Sequence, residues 1–93
     1  MAFSSHFQDG TSPVYIAANN NHVEALKLLI NAGADVNQVD RVGNNALCAA
    51  SERGHVETVK LLLARGATGI ADAHAFATQE GHSAIVDILA PLL

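Results

Sequence analysis

Five histidines, one cysteine and nine carboxylates are the side chains with which this 93-residue chain could do chemistry, and their spacing decides what kind. His22, His55 and His82 stand just before the related stretches "VEALKLLI", "VETVKLLL" and "SAIVDILA". Three imidazoles in one repeated slot raise the question of a metal. Zinc needs every ligand within about 2.1 Å of one ion, whereas stacked helical units would hold these three roughly 10 Å apart. They are therefore expected to be helix-start residues hydrogen-bonded to neighbouring backbone, and no metal site is expected. Cys48 is the sole thiol nucleophile, set among small residues in "ALCAASER". No base lies at a spacing that would activate it, so a small buried thiol is expected. Asp35, Asp40, Glu52 and Glu80 fall on loops or exposed helix positions, without the apolar enclosure that raises a carboxyl pKa for acid catalysis. Gly33, Gly43, Gly54, Gly66, Gly69 and Gly81 are scattered as punctuation and form no phosphate-binding loop. No catalytic residue and no cofactor is expected.

The elements that position these residues are helices. The chain is 49% hydrophobic but only 4% aromatic, with alanine and leucine as the main fillers, which favours thin helices packed closely over a sheet of β-branched and aromatic residues. The expected class is all-α, in one domain near the lower size limit for a core unaided by metals or disulfides. A net charge of −4 with five Lys and Arg argues against nucleic acid, whose binding draws on clustered basic residues. The single cysteine permits no internal disulfide. "MAFSSHFQDG" lacks the basic and apolar regions of an export signal, and no apolar stretch approaches the ~20 residues of a membrane span. These features fit an intracellular setting and no membrane partner.

A period organises the chain. Gly10 and Gly43, His22 and His55, Glu24 and Glu57, Lys27 and Lys60, Gly33 and Gly66, and Ala34 and Ala67 are each 33 residues apart. Such a period marks a stacked-repeat protein, in which each unit buries its apolar face only against its neighbours. Ser12 and Pro13 supply an N-cap oxygen and a preset φ for a short first helix. Asn21, where the next copy has Gly54, suits a left-handed turn. Val23, Leu26, Leu29 and Ile30 then fall at helical spacing, and Gly33 ends the second helix. The second copy has Asn45 as cap, with Val56, Val59, Leu62 and Leu63 on its buried stripe. Between the copies, "GADVNQVDRVGN" suits an extended, hairpin-like loop.

The spacing, "GTSPVYIAA" in place of G-x-TPLHLAA, "NHVEALKLLI" and "GADVN" together resemble the ankyrin repeat, over about residues 8 to 93. The resemblance implies a solenoid of stacked antiparallel helix pairs with one long projecting loop. It divides the chain into an N-terminal segment (1–9), repeat 1 (10–42), repeat 2 (43–69) and a C-terminal capping repeat (70–93). It also implies a protein–protein interaction module, with a partner docking on the concave face of loops and short helices. The positions that would meet it are Gln8, Asp9, Thr11, Asn19 and Asn20 in the first repeat. In the second they are Arg41, Val42, Asn44, Glu52, Arg53 and Arg65, and in the third Ala71, Gln79 and Glu80. Arg41, Arg53 and Arg65 are the expected anchors for an acidic or mixed partner segment. Tyr15 could be an aromatic anchor or be packed between units.

Departures from the family pattern carry expectations of their own. Asn45, Ala46 and Cys48 stand where the family has Thr, Pro and His, so the second repeat is expected to lose ties to its neighbours. His82 follows His55 by 27 residues rather than 33; the shortening falls in the second loop, and "GATGIADAHAF" is expected to enter a helix capped by Asp72. Pro91 marks the end of the last helix. That helix is apolar on two sides, through Ile85, Ile88, Leu89 and Leu92 and through Val86, Ala90 and Leu93. Either these residues pack inward on Leu61 and Leu62, or they leave an end patch for a homo-oligomer or for neighbours in a longer repeat array. Phe3 and Phe7 could cover the opposite end.

Overall fold

The computed structural model describes residues 12–40 and 42–93 of the chain. Six helices follow one another: α1 (Pro13–Asn19), α2 (Val23–Asn31), α3 (Ala46–Arg53), α4 (Val56–Ala64), α5 (Ile70–Glu80) and α6 (Ser83–Leu89), with a closing 3-10 turn over Ala90–Leu92. The described residues contain no strand. Each odd-numbered helix packs against the even-numbered one after it. The inner helices α1, α3 and α5 lie side by side with α3 in the middle, and the outer helices α2, α4 and α6 follow the same order. Three hairpins are thus laid in a row, as a chain built from one recurring surface requires. No helix of the described residues is long and apolar enough to cross a membrane.

Local chemistry explains where the helices start. The Ser12 hydroxyl accepts from Tyr15 N at 3.1 Å and Pro13 occupies the first turn of α1. The Asn45 amide oxygen likewise accepts from Cys48 N at 3.1 Å. Its amide nitrogen then donates to Thr68 O at 2.9 Å, in the segment leading into α5. The residue expected to loosen this repeat therefore makes a tie from its own side chain. For α5 the sequence expectation is corrected. The helix begins at Ile70 behind Gly69, which is left-handed at φ 77°, and Asp72 lies inside the first turn instead of capping it. With the loop shortened, glycine turns the chain straight into the helix, and the Asp72 carboxylate complements the helix dipole from within.

The turn between paired helices is left-handed at Asn21 (φ 58°) and Gly54 (φ 81°), as the matched positions predicted. The projecting loop after α2 is held by aspartates. Asp35 Oδ1 accepts from Asn37 N, and Asp40 Oδ1 accepts from both Val42 N and Asn44 N, each at 2.9 Å. Asn37 ties this loop to the next hairpin, donating to Gly66 O at 3.2 Å and accepting from Thr68 N at 2.8 Å.

Small residues on the inner helices (Ala17, Ala18, Ala50, Ala73, Ala77) and larger ones on the outer helices (Leu26, Val59, Leu62, Ile85, Leu89) fill one continuous core, with Leu47 in its middle. Close approach of thin inner helices is what lets three short hairpins share it. In the last helix Ile85 and Leu89 pack inward into this core, beside Leu61 and Leu62. Leu92 and Leu93 stay 52% and 64% exposed. Phe3 and Phe7 lie outside the described residues.

Candidate partner-binding face

The inner helices carry matched positions into rows that run across the stack. Tyr15, Cys48 and Ala75 make one row, and Ile16, Ala49 and Phe76 the next. Asn19, Glu52 and Gln79 make a third, and Asn20, Arg53 and Glu80 a fourth. Alanine at position 49 is buried between larger neighbours in its row, while Ile16 is 37% exposed. Two depressions open on this side. One, of about 270 Å³, lies between the projecting loop (Val42, Gly43, Asn44) and α5 (Asp72, Ala75, Phe76, Gln79). The other, of about 320 Å³, is lined by Glu52, Arg53 and Glu80 at the ends of α3 and α5.

The expected contact residues thus separate into groups. Val42, Asn44 and Gln79 are brought together in the first depression, and Glu52, Arg53 and Glu80 in the second. Asn19 joins the second group, since its side-chain oxygen accepts from Arg53 Nε at 3.1 Å, and Asn20 lies exposed beside it. Ala71 is exposed in the first turn of α5. Arg65 is placed elsewhere. It caps the far end of α4 and donates to Asn31 Oδ1 at 2.8 Å across the outer helices. Because α4 runs antiparallel to α3, the length of α3, about 12 Å, separates that end from Arg53. Gln8, Asp9, Thr11 and Arg41 lie outside the described residues. Asp72, Ala75 and Phe76 were missed by the sequence reading. Their signal was present, because with Gln79 they form an i, i+3, i+4, i+7 stripe along α5.

Electrostatics on this side are set by carboxylates. The Tyr15 hydroxyl pKa is raised first by burial, then by Asp40 and Glu52, with Arg53 partly offsetting them. Burial also raises the Cys48 thiol, reinforced by Asp72, Asp40 and Glu52 and opposed by the hydrogen bond from Asn45. A protonated thiol only 3% exposed is a poor nucleophile. Alkylation of Cys48 in the native protein is therefore expected to be at least ~100-fold slower than in denaturant, because it requires local opening. Equal rates, followed by mass spectrometry, would show an accessible thiolate instead.

The repeated histidines hold the hairpins to one another. His55 Nε2 donates to Asn19 O at 2.9 Å, and His82 Nε2 to Glu52 O at 3.0 Å. A carbonyl can only accept, so the facing nitrogen carries the proton in both. Each imidazole reaches back to the hairpin before it.

Helical hairpins in a row, joined by histidine and asparagine side chains and presenting loops beside their inner helices, define a stacked-repeat protein with one extended face. A family model described as ankyrin repeats in three copies matches residues 2–73, and the chain belongs to the ankyrin repeat family. Ankyrin repeats are in general protein–protein interaction modules. No curated protein matches the chain.

Proposed function

We propose that this chain is a non-catalytic module that binds a partner protein on the side formed by α1, α3, α5 and the projecting loop. The observation that carries this reading is the grouping of Val42, Asn44, Phe76 and Gln79 around one depression, next to a second lined by Glu52, Arg53 and Glu80. Arginine is among the residues that concentrate binding energy at protein interfaces, and Phe76 adds a half-buried aromatic ring in the neighbouring depression. Phe76 serves as the aromatic anchor in this reading, and Arg53 is held ready by Asn19. The face is small and suits a partner segment covering under ~800 Å² of this chain.

The test uses a partner isolated on the wild-type chain and then titrated calorimetrically. Phe76→Ala combined with Arg53→Ala is expected to weaken binding by ~2 kcal/mol or more. Arg65→Ala, at the opposite end of the hairpin, serves as the control and is expected to leave affinity unchanged. If Arg65→Ala weakens the complex and the double variant does not, the partner sits on the outer helices and the reading is wrong.

A further inference from the structure

The two seams inside the stack repeat one set of contacts, and among the described residues the first and last hairpins each carry an unpaired half of that set. At the first seam, His55 donates to Asn19 O, Thr58 Oγ1 donates to Asn21 Oδ1 at 2.8 Å, and α4 lies against α2. At the second, His82 donates to Glu52 O, Ile85 takes the buried place of Thr58, and α6 lies against α4. The His82 ring lies over Gly54, so closely that a Cβ there would stand 2.8 Å from it. The six-residue shortening falls in the loop and leaves this seam intact.

The leading hairpin has the donor side of a seam with nothing against it among the described residues. His22, Ala25 and Leu28 hold the positions of His55, Thr58 and Leu61. Thr58 is buried and Leu61 half-buried, whereas Ala25 is exposed and Leu28 is 71% exposed. His22 is exposed, with no side-chain hydrogen bond among the described residues.

The trailing hairpin has the acceptor side. Gln79 and Gly81 hold the positions of Glu52 and Gly54. Gly81 is left-handed at φ 76° like Gly54, yet nothing lies within 4 Å of where its Cβ would be. Gln79 O, one of the last carbonyls of α5, accepts no hydrogen bond from beyond that helix among the described residues. Cys48 and Ser51 are buried, while their counterparts Ala75 and Thr78 are exposed.

We propose that a second copy of this chain occupies these surfaces, stacking head to tail. His22 of one copy donates to the Gln79 carbonyl of the next, its ring fills the space over Gly81, and α2 lies against α6. The surface that each end lacks is the one carried at the other end, in an arrangement the molecule already makes twice. The contact joins unlike surfaces, so it does not close at the dimer and leaves a head and a tail open to further copies. Stacking would cover Ala75 and Gln79 at the edge of the first depression, and its failure would leave the partner-binding reading standing.

Sedimentation of the 93-residue chain from micromolar to millimolar concentration tests the proposal. The average mass is expected to climb past the dimer without a plateau. His22→Ala is expected to lower the association constant at least ~10-fold by removing a hydrogen bond and the ring's packing. Thr78→Arg places a long charged side chain at an exposed position whose counterpart, Ser51, is buried in the second seam, and is expected to act as strongly. Each variant alone should stay monomeric where the wild type associates. Mixed in equal amounts they should form dimers and stop, since one intact head and one intact tail remain. A wild-type chain that is monomeric throughout overturns the proposal. So does a plateau at dimer, or association that both variants leave unchanged and Leu93→Ser abolishes, which would mark pairing through the apolar C-terminal turn.

Discussion

Leu47→Ala is expected to destabilise the whole chain by ~2–5 kcal/mol, the range for removing a large buried side chain and leaving a cavity. Leu47 is 0% exposed in the first turn of α3, and α3 touches α1, α5 and α4. Its place makes it more costly than a leucine of an end hairpin. In a stack whose stability is a sum of units and seams, a weakened middle unit loosens both seams together. A chain of this length has a total stability of roughly 5–14 kcal/mol, so the loss is a large part of the whole. Denaturant titration at low protein concentration measures it as a fall in midpoint. Leu28→Ala is the comparison, since Leu28 is 71% exposed on α2 and should change stability by no more than ~0.5 kcal/mol. Equal losses for the two leucines would mean that the row of hairpins drawn here is wrong.

The helices and their order were legible because the signals are local. Ser12, Pro13 and Asn45 act on backbone groups within one turn, and Asn21 and Gly54 report a backbone angle that few residues adopt. The start of α5 was misread because an aspartate three residues into a helix and an aspartate at its cap look alike in sequence. Only the left-handed turn at Gly69 separates them. Arg65 shows a different limit. The family resemblance grouped it with Arg53, but the reversal between α3 and α4 carries it to the opposite end from Arg53, and a one-dimensional sequence does not display that reversal. Asn45 was seen as an acceptor alone. An amide offers a donor as well, and the use of that donor depends on Thr68, 23 residues away.

Gly54→Ala is expected to cost ~2–5 kcal/mol for two separable reasons. An L residue in the left-handed region loses roughly 1–2 kcal/mol to the contact of its Cβ with the backbone. The remainder comes from the His82 ring, whose Cε1 and Nδ1 lie 2.8 and 2.9 Å from the new methyl position, so the ring must move and strain its hydrogen bond to Glu52 O. Overpacking of this kind typically adds about 1–3 kcal/mol. The first hairpin shows which part is avoidable. Asn21 takes the same turn at φ 58° and its side chain is accommodated, bonded to Thr58. At the second seam Thr58 is replaced by Ile85, which offers no donor, so Gly54→Asn would relieve the backbone strain but keep the collision. His82→Ala removes the collision and leaves the strain. The Gly54→Ala, His82→Ala double variant is therefore expected to be at least ~1 kcal/mol more stable than the sum of the single losses implies, a coupling that residues in contact show and distant ones do not. Strict additivity in the thermal unfolding of the four proteins would mean that the His82 ring does not rest on Gly54.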